Sequence, residues 1–169
     1  MGKEKKCTLY KKYTSYKKCI PYLILAGFTF FFCWWFVGRH GIFGAKVDWL
    51  SQHSVLPDYF RQQFYATGKI FPEFAPNLGG GQNIYHFAYY GLYSPLILPS
   101  YLLPFVKMSD YIMVISITGL TVSVLLFYYW LKSRKMDTGV AFIISLMFLL
   151  AGPMIGQYSG QIMFVDYMP

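Results

Sequence analysis

"IPYLILAGFTFFFCWWFVG", Ile20 to Gly38, contains no charged residue. As an α-helix at about 1.5 Å per residue it covers most of a ~30 Å hydrocarbon layer. Trp34 and Trp35 near its far end suit the aromatic belt of a membrane interface. The run is longer than the core of a signal peptide, and no small-x-small cleavage site follows it. It reads as an uncleaved signal-anchor. The rest of the chain agrees: of 169 residues, 56% are hydrophobic, 21% aromatic and only 13% charged, against about 25% charged in soluble domains. A core of this size cannot hide that much apolar surface, so lipid must solvate part of it.

Ahead of the span lies a basic block. The net charge is +8, and seven of the fifteen Lys and Arg residues fall between Lys3 and Lys18. A cationic stretch that stops at a span is a topology signal that also touches anionic lipid, so no nucleic-acid partner is expected. Cys7, Cys19 and Cys33 fit no metal-binding spacing and read as unpaired thiols.

Two further apolar runs follow. "YIMVISITGLTVSVLLFYYWLK", Tyr111 to Lys132, is a second span, and a third runs from Thr138 to Met154. The fold class expected is therefore all-α integral membrane: a fragment of a polytopic helical bundle with about three transmembrane helices. Its parts are a basic cytoplasmic tail (1–19), helix 1 (20–38), an extracytoplasmic loop (39–110), helix 2 (111–132), a cytoplasmic loop (133–137), helix 3 (138–154) and the start of a continuation (155–169). The Lys-rich tail and the cluster Lys132 to Lys135 both belong on the cytoplasmic side. That holds if "PLILPSYLLPFV", Pro95 to Val106, does not cross. With three prolines in a short run, it reads as an interfacial or re-entrant segment.

The long loop is too long and too rich in Tyr, Phe and Leu to be an idle or disordered link. In "SVLPDYFRQQFYATG", residues Leu56, Tyr59, Phe60, Phe64 and Tyr65 recur near helical spacing, and Gly68 is a stop signal. Asp58, Arg61 and Gln62 take the opposite side, which predicts an amphipathic helix lying along the interface. Asp48, just after the first span, has two readings. One is a helix N-cap; the other is a general base or a metal ligand at the water–lipid boundary. His53 has no second His or Cys at ligand spacing and reads as a polar-face residue. Arg61 is either a solvated helix charge or a planar cation suited to phosphate. "NLGGGQN", Asn77 to Asn83, lacks the Lys of a nucleotide-binding loop, but its glycines permit tight turns, and Gln82 and Asn83 carry donors and acceptors suited to sugar hydroxyls. The tyrosines of "YHFAYYGLYSP", Tyr89 and Tyr90 among them, read first as an interfacial belt.

In this order the features resemble the start of the YfhO family of bacterial membrane proteins. The resemblance rests on Asp48 after the first span, then Ser51, Gln52 and His53, and the aromatic helix with Arg61. It continues through the turn Asn77-x-Gly79-Gly80-Gly81 with Gln82 and Asn83, and ends on Tyr89-Tyr90 before Ser94-Pro95. That family is similar to the GT-C class of integral-membrane glycosyltransferases. The resemblance implies sugar transfer from a polyprenyl-phosphate donor to a cell-envelope glycopolymer or lipid on the outer face. It puts the catalytic role on Asp48, as base or as ligand of a divalent cation (Mg or Mn). Substrate binding falls to Gln52, His53, Arg61, Asn77, Gln82, Asn83, Tyr89 and Tyr90. The competing functions are a transporter or flippase component, whose broken Pro95–Val106 segment would line a path, and an inactive structural membrane fragment.

Overall fold

The computed structural model describes residues 2–40 and 48–152, with side chains described for 18–39, 48, 49 and 51–152. The chain is mostly helical. Helix α1 runs Gly2–His40, α2 Val55–Thr67, α3 Met108–Ser133 and α4 Thr138–Leu149. Among the described residues, two stretches are long and apolar enough to cross a membrane: Lys18–Arg39 within α1 and all of α3. The backbone of the basic tail continues α1 without a break, and Pro21 is accommodated inside that helix. The third expected span is represented by α4, twelve residues long. At about 1.5 Å per residue it reaches roughly 18 Å, short of a full crossing. The segment expected to begin a continuation, 155–169, lies outside the described residues.

Helices α1, α3 and α4 pack on one another around Leu25, Cys33, Ile112, Leu120, Val124 and Leu149. Tyr22 meets Tyr128 edge to face at 4.8 Å, and Phe127 stacks on Phe148 at 4.5 Å. Thr29, Thr121 and Ser145 are buried, and each hydroxyl donates to the carbonyl four residues back. Small hydroxylated residues can therefore lie between apolar helices without leaving a polar group unpaired. The turn from α3 to α4 is tight. Lys132 Nζ donates to Met136 O and Thr138 Oγ1, and the Asp137 carboxylate accepts from Gly139 N at 2.8 Å and Val140 N. The N–H groups of Val140 and Gly139 hold that carboxyl below its usual range.

Between α1 and α3 the chain builds a second cluster from Leu56, Phe60, Ala75, Ile84, Tyr90, Leu92 and Tyr101. A five-residue π-helix, Trp49–His53, leads directly into α2. Gly68 ends α2 in the left-handed conformation, its N–H bonded to Phe64 O at 2.8 Å. Phe74–Ala75 (β1) and Gln82–Asn83 (β2) pair antiparallel, Phe74 with Asn83 and Ala75 with Gln82. Gly79, Gly80 and Gly81 close this hairpin, all at positive φ, which side chains strongly disfavour in succession. The Pro95–Val106 segment holds no continuous helix, only a 3-10 turn over Leu98–Leu102. Trp49 and Ile97 belong to the helix-bundle cluster, whereas Phe60 and Tyr90 belong to the loop cluster. The π-helix thus sits at the junction of the two.

Candidate functional site

The π-helix "WLSQH" is held at its start by Trp49, fully buried in the helix bundle. Such wide turns are strained relative to an α-helix and recur at functional sites. Asp48 occupies its N-terminal position but makes no side-chain cap hydrogen bond. The capping role open in the sequence is therefore not the one its carboxylate performs here. Instead its charge acts on two neighbours, His53 and Tyr90.

Tyr90 comes from the far side of the loop, and its placement traces back through the hairpin. Ile84 N donates to Glu73 O at 3.1 Å, which ties the end of β2 to β1. The Asn83 side chain then accepts from Tyr85 N at 2.9 Å and caps the 3-10 helix Ile84–Tyr90. That short helix ends at Gly91, whose N–H bonds Ala88 O. Tyr90 is left buried, with its hydroxyl donating to Gln52 Oε1. Its ring lies 5.4 Å from that of His53, and Tyr89 packs against it at 4.1 Å. Burial, with smaller contributions from Tyr89 and Asp48, pushes the Tyr90 hydroxyl up to about 12. It is a neutral hydrogen-bond donor at physiological pH.

His53 is 2% exposed and its Nδ1 has no hydrogen-bond partner among the described residues. Burial lowers its pKa below the ordinary 6.5, against the opposing pull of the Asp48 charge. The folded protein then binds this proton more weakly than the unfolded chain. Stability from neutral His53 is fully present above about 6.5 and declines as pH falls through that value towards the lower folded one. Replacing His53 with Gln is expected to flatten the acid limb. Melting curves between about pH 7.5 and about pH 5 check this; an equal acid decline in both proteins would refute it.

The structure thus brings together Asp48, Gln52, His53, Tyr89 and Tyr90. Other sequence candidates serve the scaffold. Asn83 is the cap just described, and Gln82 Nε2 reaches Leu78 O at 3.5 Å inside the hairpin. Asn77 lies in the turn between β1 and β2.

Of the two readings of Arg61, burial rules out the solvated helix charge and does not test the phosphate cation: the residue is 6% exposed. One guanidinium nitrogen donates to Val106 O at 2.9 Å and Leu103 O at 3.2 Å; the other meets Asp58 Oδ1 at 2.5 Å. The reason is local: the Leu103–Val106 segment is non-helical and its carbonyls need donors, which the polar side of α2 supplies. A cleft of 380 Å³ opens beside it, lined by Ser54, Asp58, Arg61, Phe105, Lys107 and Ser109 among others. Asp58 was read only as part of the polar side of α2, and Lys107 was not singled out from sequence. The Asp58–Arg61 spacing of three on one helix was the available signal.

Residues 18–168 match the family described as "Bacterial membrane protein YfhO". The chain belongs to the YfhO family. No curated protein and no solved structure matches it. Together with the apolar helices α1 and α3, membership places this YfhO chain in a membrane. Among the described residues no three His, Cys, Asp or Glu side chains converge to hold a metal ion. A cation at Asp48 would have to draw its other ligands from elsewhere.

Proposed function

We propose that this chain belongs to a multi-pass glycosyltransferase. It would move a sugar from a polyprenyl-phosphate donor to a cell-envelope glycopolymer or lipid on the outer membrane face. The observation that carries this reading is a carboxylate without a capping bond, Asp48, whose charge acts on His53 and on Tyr90, the hydrogen-bond partner of Gln52. A lipid-phosphate donor keeps its tail in the bilayer while its sugar faces water, so the reacting groups belong at that boundary.

In the proposed transfer, Asp48 takes the proton of an acceptor hydroxyl as its oxygen attacks the sugar's anomeric carbon. The bond from that carbon to the phosphate oxygen breaks, and polyprenyl phosphate leaves with the electron pair. Gln52 has its amide oxygen engaged by Tyr90, which turns its NH₂ towards a donor role for sugar hydroxyls. Tyr89, exposed beside Tyr90, offers a ring face to the sugar. Arg61 is engaged by two carbonyls and Asp58, so it acts on a phosphate in the adjoining cleft as a fixed charge, together with Lys107. The test is transfer of labelled sugar from a panel of polyprenyl-phosphate donors by the reconstituted full chain.

The same proposal fixes the topology: N-terminus cytoplasmic, residues 39–110 extracytoplasmic, with Lys clusters at both inner flanks. A cysteine introduced at Asn77 in a cysteine-free background is expected to react with an impermeant reagent in intact cells, and one at Lys12 is not. A reporter at Lys107 is expected on the same side as one at Asn77. The reverse pattern would place the site on the wrong face for this donor.

A further inference from the structure

The segment leading into α3 presents its apolar side chains outward. Leu102 is 83% exposed, Phe105 97% and Leu103 44%. An exposed apolar tip of this kind is costly in water. Its backbone is treated in the opposite way. The carbonyl of Tyr101 accepts from the Tyr65 hydroxyl, and those of Leu103 and Val106 accept from Arg61. Leu103 N donates to Ser100 O at 3.0 Å, Val106 N to Leu103 O at 3.2 Å, and Pro104 has no N–H to satisfy. Arg61 and Tyr65 stand four apart on α2 and so share one face of it. They clamp the segment from behind.

We propose that Leu102, Leu103 and Phe105 form a wedge inserted into the lipid bilayer beside the start of α3. Outward apolar side chains paired with the Tyr101, Leu103 and Val106 carbonyls satisfied from the protein side are what hydrocarbon favours in non-helical backbone. The segment is also continuous with Met108, the first residue of a membrane-length helix. Lys107 lies between the tip and that helix, where an ammonium can reach headgroups. Helix α2, joined to the wedge through Arg61 and Tyr65, is thereby held against the same surface. The inference does not depend on sugar transfer and holds on whichever face the loop lies.

The experiment uses the full chain with Cys7, Cys19 and Cys33 replaced by serine, in vesicles of phosphatidylethanolamine and phosphatidylglycerol. Spin labels are attached at Leu102→Cys, Phe105→Cys and, as a control at an exposed position, Lys69→Cys. Labels at 102 and 105 are expected to collide more with lipid-soluble oxygen than with a water-soluble nickel chelate; the order reverses at 69. Nickel dominance at both tip positions would overturn the wedge. So would exclusion of both reagents, which would mean that protein covers the tip. Tyr65→Phe removes one hydroxyl from the clamp and is expected to raise nickel collisions at 105. No change there would remove the clamp from the account. Because no readout involves transfer, failure here and failure of the proposed enzyme activity are told apart.

Discussion

Asp48→Asn in the full chain is expected to lower the rate of sugar transfer by about 10²–10⁴-fold, the usual cost of losing a general base. The substitution is close to isosteric, and Asp48 makes no cap hydrogen bond to lose. Even in a capping role, Asn would serve about as well as Asp. Membrane level and thermal stability should therefore stay near wild type while turnover falls. Removing the charge should also lower the pKa of His53 further, since Asp48 pulls it upward. Asp48→Glu keeps the carboxylate but displaces it by about a bond length, and misplacement on the order of 1 Å can cost about 10²-fold. Parallel activity measurements at matched protein levels check the series. Near wild-type transfer by Asp48→Asn would remove Asp48 from the chemistry.

Arg61→Met is the second large effect, and it falls on stability. The change leaves the carbonyls of Leu103 and Val106 without their shared donor, and Asp58 without its ion pair. Each acceptor left unsatisfied away from water costs about 1–3 kcal/mol, so the two part-buried carbonyls set an upper range of roughly 2–6 kcal/mol, and solvent reaching them lowers the loss. Asp58 adds little, because its side chain is 32% exposed and water can replace the guanidinium. Arg61→Lys keeps the charge and one donor direction but not the planar fork, so it should fall between. Thermal unfolding in detergent, followed by tryptophan emission with Trp34, Trp35 and Trp130 replaced by Phe so that buried Trp49 reports, measures both. Unchanged melting in Arg61→Met would contradict the clamp, and a lysine variant as unstable as methionine would show that fork geometry, not charge, is what the segment needs.

What was legible in the sequence was whatever repeats locally. Charge-free runs gave α1 and α3, and the spacing of Leu56, Phe60 and Phe64 before Gly68 gave α2. Prolines 95, 99 and 104 announced that no long helix would form there. Contacts between distant residues were not legible. Tyr90 reaches Gln52 across 38 positions and Arg61 reaches Val106 across 45. Only the packing of the loop cluster against the helix bundle fixes those pairs. Residue types and the family resemblance did single out Asp48, Gln52, His53 and Tyr90, but as separate candidates. The inward placement of Arg61 was not legible either: a helix period marks it as polar and hence solvent-facing, whereas the carbonyls of an irregular neighbour draw it inward. The π-turn at Trp49–His53 carries no periodic signal at all.

The central claim is that the surroundings of Asp48 carry out sugar transfer from a lipid-phosphate donor. Its most direct test is a single measurement on purified full chain in vesicles, supplied with a labelled sugar on polyprenyl phosphate and a crude envelope acceptor. Wild type should release polyprenyl phosphate in step with labelled product, and Asp48→Asn should release almost none. Wild type that releases no polyprenyl phosphate with any donor of the panel, while remaining folded, would contradict the claim.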